Sequence, residues 1–274
     1  MFRNVTRRDQ QTTNYGESMN ERQQALTFAE ELAAASAQLL GDLLVAAILH
    51  GSLALDGLDG FTPGRSDIDI LVVVERHLDD GELAALQDLV LRLSPTAAGG
   101  LDYRVVRRAV AASPTLSPAM ELYVGCHGDW APEIESRVAG EPDLVAELSM
   151  ARAFGRTLVG DEARSVVGAV PDKWVVGYGD EIIARWQKLT DDAEHAELMV
   201  LTTCRIWRFA TEGVYSSKPE AGRWALARDP SLAAVQAALR QWAGESGVRV
   251  APDEIADLLA LVRKEIARQA PAPR

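Results

Sequence analysis

Residues 66–74 read SDIDILVVV, a serine and two aspartates that lead into a run of apolar residues. Its β-branched run from Ile68 to Val74 predicts a buried strand. Because side chains alternate between the two faces of a strand, Asp67 and Asp69 lie side by side on one face while Ile68 points into the core. Two adjacent carboxylates repel each other unless a divalent cation binds between them. Such hard oxygen ligands suit Mg²⁺.

The segment before this strand supplies a second feature. Residues 50–64 read HGSLALDGLDGFTPG, a turn-rich stretch that predicts mostly loop. Gly51 allows a backbone to approach a ligand closely, and Ser52 offers an N–H group and a hydroxyl to a phosphate. An Asp-x-Asp pair alone is typical of a solvated strand end. A Gly-Ser pair upstream of it favours a site that binds phosphate and metal.

Further strands and helices flank this motif. Apolar periodicity predicts a long helix and a buried strand before it, and one helix and two strands after it, at 21–40, 43–49, 79–93, 101–106 and 120–125. The sequence becomes helical after about residue 144, with helices predicted at 147–154, 180–189, 194–212, 219–227, 231–243 and 253–268. Gly and Pro break residues 155–179, which predicts a linker. We therefore expect an α+β chain with two domains, 19–157 and 158–270, a cleft where they meet, and loose tails at 1–18 and 270–274.

Composition limits the class of protein. The chain has 274 residues, with 28 Lys and Arg against 40 Asp and Glu, which gives a net charge of −12. This balance disfavours nucleic acid as a partner and suits a cationic one. No apolar run is long enough to span a bilayer, and the first residues lack a secretory signal. Two cysteines without metal-binding spacing fit a reduced compartment, so a cytoplasmic protein with no membrane partner is expected.

The Gly-Ser pair followed by Asp-Ile-Asp and valines resembles the nucleotidyltransferase superfamily typified by DNA polymerase β. The resemblance implies a polymerase-β-like domain with a mixed sheet, in which Asp67 and Asp69 hold Mg²⁺ and a third carboxylate from a later strand completes the site. Asp102, in GGLDYRVV, is the expected third carboxylate, as a metal ligand or as the group that takes a proton. Glu121 is the alternative.

A more specific resemblance covers residues 43 to 268. The motifs that carry it are PAMELYV at 118–124, GDW at 128–130, LVGD at 158–161, VLTTCRIW at 200–207, and Lys218 followed by Trp224-Ala. They are similar to the bacterial aminoglycoside (3'')(9) adenylyltransferases, which inactivate streptomycin and spectinomycin. The resemblance implies Mg²⁺-dependent transfer of AMP from ATP to an antibiotic hydroxyl, by a monomer with an all-helical second domain.

The same resemblance assigns site residues. Those expected to bind the nucleotide are Gly51, Ser52, Ser66, Asp143, Arg205, Lys218 and Trp242. Those expected to bind the antibiotic are Trp130, Asp191, Glu194 and His195. The chain departs from the family with Asp102 where the family has Glu and with His50 where it has Tyr. His195 stands where the family has a further acidic residue, unless Glu194 takes that place. Two alternatives stay open: a nucleotidyltransferase that acts on a protein or another small molecule, and a non-catalytic nucleotide-binding relative.

Overall fold

The computed structural model of the chain describes residues 7–55, 60–93 and 98–269. It separates into two compact units, Met1–Ala169 and Val170–Arg274. The sequence placed the boundary between residues 157 and 158. The structure places it later because residues Arg156–Gly160 form a strand that pairs with the sheet of the first unit.

A six-stranded mixed sheet organises the first unit, as expected. Its strands are β1 (Leu44–His50), β2 (Asp67–Val74), β3 (Gly100–Arg107), β4 (Met120–His127), β5 (Glu133–Val138) and β6 (Arg156–Gly160). Their order across the sheet is β5-β4-β3-β2-β1-β6. Only the β2–β3 pair is parallel among the described strands, and the other neighbours are antiparallel. The parallel pair brings the starts of β2 and β3 to the same edge of the sheet.

Helices accompany this sheet. They are α1 (Arg7–Leu40), α2 (Gly51–Ala54), α3 (Asp80–Arg92), α4 (Arg108–Ala112), α5 (Leu144–Phe154) and α6 (Ala163–Val166). The crossover from β2 to β3 passes through α3, which a parallel pair requires. Asp79 and Glu82 form a reciprocal capping box at the start of α3. Apolar residues of α1, α3 and the central strands bury one face of the sheet, for example Leu32, Leu86 and Ile70.

The second unit is entirely helical, as expected. Its helices are α7 (Asp172–Trp186), α8 (Ala196–Glu212), α9 (Lys218–Arg228), α10 (Ala233–Trp242) and α11 (Pro252–Gln269). The buried side of α8 forms the centre of its core with Val200 and Cys204, against Leu259 of α11. Trp207 packs edge to face on Trp224 with ring centroids 5.1 Å apart. Among the described residues, no helix is long and apolar enough to cross a bilayer.

Several predicted boundaries were wrong. The tail expected at 1–18 is helical from Arg7 onward, and residues 1–6 and 270–274 lie outside the described residues. The linker expected at 155–179 contains β6, α6 and the first half of α7. Strand β5 was missed because its residues are almost all exposed and carry no apolar alternation. In the expected loop, residues 51–54 form α2, and 56–59 lie outside the described residues.

Candidate active site

Acidic side chains form a row across the sheet where β2 and β3 begin. In the strand register, Asp69 lies beside Asp102 of β3 on one side and beside His50 of β1 on the other. Asp67 lies two residues earlier on the same face of β2, opposite Gly100. Pairing of β2 with β3 in parallel therefore brings three of the predicted site residues together.

Glu147 of α5 is an acidic neighbour that sequence reasoning missed. Its Oε2 lies 3.2 Å from Nδ1 of His50. One potential ligand atom from each of His50, Asp69 and Glu147 lies within 4.8 Å of the other two. No local signal marks Glu147, because only the packing of α5 on β1 and α2 brings it to the sheet.

The ionisation of Asp69 shows how crowded these carboxylates are. Burial raises the pKa of Asp69 well above its usual value, and repulsion from Glu147, Asp102 and Asp67 raises it further. Attraction to Arg104 offsets only part of this. A bound cation stabilises buried carboxylates in such a group because it supplies positive charge beyond that of Arg104. The donor set therefore fits a divalent cation.

Asp102 has a different environment from Asp69. The hydroxyl of Tyr123 donates a 2.7 Å hydrogen bond to its Oδ1, and Nε2 of His127 lies 3.6 Å away. Burial opposes its ionisation, but His127, Arg104 and Tyr123 outweigh burial and lower the pKa of Asp102 to about 2. Asp102 and Asp67 in turn raise the pKa of His127 to about 10. Asp102 is therefore ionised, and Tyr123 and His127 both contact its Oδ1.

Arg104 connects this cluster to the start of α5. Its guanidinium donates a 3.0 Å hydrogen bond to Oδ2 of Asp143, lies 3.6 Å from Asp102, and stacks 4.7 Å from the ring centroid of Tyr123. Asp143, which the resemblance assigns to the nucleotide side, thus contacts Arg104 directly. Arg104 and Tyr123 were not predicted. Strand alternation could have found Arg104, since it lies two residues after Asp102 on β3.

Two glycines allow these side chains to approach. Gly51 has φ +64, and a Cβ atom there would lie 1.8 Å from Oδ2 of Asp69. A Cβ atom at Gly100 would lie 2.6 Å from Oδ1 of Asp67 and 2.3 Å from Nδ1 of His127. Any other residue at either position would displace a carboxylate.

The two predicted serines lie next to these strands, Ser52 after β1 and Ser66 before β2. Ser52 is the second residue of α2. Ser66 is buried in the turn before β2, where its Oγ accepts a 3.0 Å hydrogen bond from the backbone N–H of Thr62. The hydroxyl hydrogen of Ser66 is therefore not used by that bond and can be donated elsewhere.

Glu121, the alternative third carboxylate, lies elsewhere on β4. It is buried and pairs with Nε of Arg107 at 2.9 Å and with Nδ1 of His77 at 2.9 Å. It is four residues from Gly125, the neighbour of Asp102, which is about 13 Å along a strand. By position, Asp102 and not Glu121 belongs to the cluster.

The remaining residues that are predicted to bind the nucleotide lie in the second unit. Nζ of Lys218 is 5.4 Å from the ring centroid of Trp242, so these two predicted residues are in contact. Lys218 begins α9, directly after Ser217, which forms a capping box with Glu220. Arg205 is half-buried on α8.

The expected antibiotic residues are divided between the units. Trp130 follows β4 in the first unit, in a turn where its side chain is 72% exposed. In the second unit, Asp191 and Glu194 precede α8 and line a pocket of about 680 Å³. His195 is the residue after Glu194, and its Nδ1 lies 2.8 Å from Oδ2 of Asp192.

The known proteins to which this chain is similar are adenylyltransferases. The family model described as "Aminoglycoside adenylyltransferase, C-terminal domain" matches residues 165–267. The chain is 30% identical over 243 residues to an aminoglycoside (3'')(9) adenylyltransferase of Klebsiella pneumoniae, covering 82% of this chain and 88% of the relative. It is 25% identical over 196 residues to a spectinomycin 9-adenylyltransferase of Staphylococcus aureus, covering 69% and 73%.

A solved structure shares the fold. The crystal structure of the spectinomycin adenyltransferase AAD(9) from Enterococcus faecialis, with ATP and spectinomycin, superposes with a TM-score of 0.65. The similarity covers 92% of this chain and 98% of that one, at 16% sequence identity. The fold therefore extends over nearly the whole of both chains.

Proposed function

Because the chain belongs to the aminoglycoside (3'')(9) adenylyltransferase family, we propose that it transfers AMP from ATP to a hydroxyl of streptomycin or spectinomycin and thereby confers resistance. The observation that carries this proposal is the cluster of Asp67, Asp69 and Asp102 at the start of two parallel strands. The family relationship makes the chain an adenylyltransferase, and the cluster supplies the acidic groups that the chemistry needs.

Asp67, Asp69 and Asp102 are the residues that would hold Mg²⁺. When bound, Mg²⁺ neutralises negative charge on the triphosphate and on the attacking and leaving oxygens. The fit is supported by the three carboxylates on one face and by Gly51, whose lack of a side chain gives Asp69 room. His127 and Arg104 hold Asp102 in position through its Oδ1.

Groups with hydrogen-bond donors or positive charge bind the rest of the nucleotide in this proposal. Ser52 and Ser66 donate to phosphate oxygens, and Arg205 and Lys218 pair with the triphosphate. Trp242 stacks on the adenine beside Lys218. Asp143 acts through its ion pair with Arg104, which it keeps oriented toward Asp102.

Asp102 accepts the proton of the antibiotic hydroxyl. Its low pKa keeps it ionised at neutral pH, as a proton acceptor must be. It is one methylene shorter than Glu, so its carboxylate stays close to Tyr123 and His127 on the sheet. Such a weak base contributes mainly by orienting the hydroxyl toward the α-phosphate, and positioning supplies much of the rate.

The antibiotic is a polycation in the streptomycin case, which suits an acidic surface. Asp191 and Glu194 supply negative charge, and the net charge of −12 adds a favourable long-range field. Trp130 offers a flat apolar surface to the drug, and His195 occupies a position next to Glu194. In the family resemblance, Trp130 and Asp191 correspond to the residues that accompany streptomycin acceptance.

The proposal is tested by incubating the purified protein with ATP, Mg²⁺ and a panel of aminoglycosides and aminocyclitols, and by measuring pyrophosphate release. We expect release with streptomycin, spectinomycin or both, and its loss in Asp67→Ala. Trp130→Ala and Asp191→Asn separate the two drugs, because they should lower turnover of streptomycin more than that of spectinomycin. Glu75→Gln, at the far end of β2, is the control variant.

Other outcomes would favour the two alternatives. Pyrophosphate release with ATP but with none of the antibiotics would point to a protein or another small molecule as acceptor. A sensitive bacterium whose resistance is the same with Asp67→Ala as with the wild-type chain would point to a non-catalytic relative.

A further inference from the structure

We propose that His50, Asp69 and Glu147 form a second cation site, which binds a first-row transition ion such as Mn²⁺ or Zn²⁺ in preference to Mg²⁺. The site shares Asp69 with the expected Mg²⁺ site but takes its other two ligands from β1 and α5. It does not depend on AMP transfer, since it is built from this chain's own side chains and is tested without nucleotide.

The geometry of the three side chains fits one ion. Nδ1 of His50 and Oε2 of Glu147 are 3.2 Å apart. Two ligands that each lie about 2.1 Å from a metal ion are about 3.0 to 3.4 Å apart in octahedral or tetrahedral arrangements. The three ligand atoms lie within 4.8 Å of one another. A rotation of the Asp69 side chain that brings its oxygen closer by at most about 1.4 Å therefore completes the set.

Asp69 is oriented so that it can serve both sites. Its Oδ2 lies 1.8 Å from the position that a Cβ atom of Gly51 would occupy, so this oxygen faces the residue directly after His50. On the other side, Asp69 is beside Asp102 in the register of β2 and β3. A carboxylate has two oxygens and can bridge two cations.

His50 supplies an independent observation. Its side chain is completely buried, and within the described part of the chain neither ring nitrogen has a hydrogen-bond partner. The contact with Glu147 is close, but it is not aligned as a hydrogen bond. A buried imidazole nitrogen without a partner destabilises the folded state. A metal ion between His50 and Glu147 supplies that partner.

The ligand types set the preference among ions. Mg²⁺ takes oxygen ligands and keeps several waters, so an imidazole in a buried position suits it poorly. Imidazole together with carboxylates suits Mn²⁺, Fe²⁺ and Zn²⁺, and affinity rises from Mn²⁺ to Zn²⁺. The site is therefore expected to keep its ion in the presence of Mg²⁺ and to exchange Mn²⁺ for Zn²⁺.

The test uses the full chain after removal of metal by a chelator, with Mn²⁺ as the probe and no nucleotide. Electron paramagnetic resonance follows the loss of the free Mn²⁺ signal, and electron spin echo modulation detects a directly bound ¹⁴N nucleus. We expect one Mn²⁺ with ¹⁴N modulation. A large excess of Mg²⁺ should leave that modulation in place, and Zn²⁺ should remove it.

Variants assign the ligands. His50→Gln should abolish the ¹⁴N modulation, and Glu147→Gln should weaken Mn²⁺ binding by at least about tenfold, as loss of a ligand or its support does. Asp67→Asn should keep the modulation, because Asp67 belongs to the other site. The chain has four histidines, so a triple variant with His77→Gln, His127→Gln and His195→Gln leaves His50 as the only source of imidazole nitrogen.

Any one of three spectroscopic results would overturn the proposal. Wild-type protein without ¹⁴N modulation, modulation that persists in His50→Gln, or modulation that disappears in the triple variant would each exclude His50 as a ligand. Circular dichroism establishes that each variant is folded. If His50→Gln does not fold, the triple variant still decides the assignment.

Discussion

Substitution of Gly51 by Ala should separate the cost of backbone strain from the cost of a displaced carboxylate. Gly51 has φ +64, a conformation that costs an L-residue about 1–2 kcal/mol. For a unit of this size, that loss lowers the melting temperature by about 2–8 °C. The new Cβ atom would lie 1.8 Å from Oδ2 of Asp69, where real Cβ atoms keep at least 3.0 Å. Asp69 must therefore move by about 1 Å.

A movement of that size affects the chemistry more than the stability. Misplacing a reacting group by about 1 Å costs about 100-fold in rate. We expect Gly51→Ala to lower kcat/KM for pyrophosphate release by about that factor. Gly41→Ala is the matched control, because Gly41 has φ +54 and open space where its Cβ atom would be. Both variants should lose similar stability in thermal unfolding.

Only Gly51→Ala should lose activity. If both variants keep the same kcat/KM, the Asp69 carboxylate either has no role in turnover or tolerates the displacement, and the reasoning is wrong. If both lose activity equally, the loss comes from strain in the backbone and not from Asp69.

Four further predictions follow from single contacts. Asp69→Asn should abolish turnover but raise the melting temperature of the metal-free protein. Folding raises the pKa of Asp69, so the folded state loses stability as the pH rises above the pKa that Asp69 has in the unfolded chain. A lower melting temperature would contradict this. Glu121→Gln should lower the melting temperature and leave turnover intact, whereas Asp102→Asn should abolish turnover; equal losses of activity would contradict their assignments. Ser217→Ala removes the cap of α9 and should lower the free energy of unfolding in urea by about 1 kcal/mol. The same substitution at a surface serine that caps no helix should leave it unchanged. Burial raises the pKa of Cys204 to about 12, so its ionisation favours the unfolded chain as the pH rises. Between pH 7 and pH 10, the free energy of unfolding should fall by about 2 kcal/mol more for the wild type than for Cys204→Ala. Parallel pH profiles would contradict this.

The strands and the acidic pair could be predicted from the sequence because both depend on local patterns. The apolar runs of β1 and β2 and the alternation at Asp67 and Asp69 are complete within a few residues. Asp102 could be placed at the start of the next strand for the same reason. Its position beside Asp69 depends on the parallel pairing of β2 with β3, whereas the family resemblance implied only that the third carboxylate comes from a later strand.

The rest of the cluster could not be predicted because it depends on contacts between distant segments. Glu147 lies on a predicted helix, but only the packing of α5 brings it to His50. His127 reaches Asp67 and Asp102 through the antiparallel register of β3 and β4. Strands β5 and β6 are short and polar or half-buried, so they lack the apolar alternation on which sequence prediction depends.

The energetics of the cluster indicate why these residues are present. Several carboxylates gather at one edge of the sheet, and Arg104 and His127 offset part of their negative charge. The carboxylates belong to Asp67, Asp69, Asp102, Asp143 and Glu147. Apolar residues of similar volume would give a more stable fold there, since a buried charge is costly unless it is paired. That energy is recovered only when a cation binds the folded state, which stabilises it by mass action. Folding raises the pKa of Asp69, so Asp69 opposes folding of the metal-free chain at neutral pH, and we propose that it binds the cation. Mg²⁺ should accordingly raise the melting temperature of the wild-type chain more than that of Asp69→Asn.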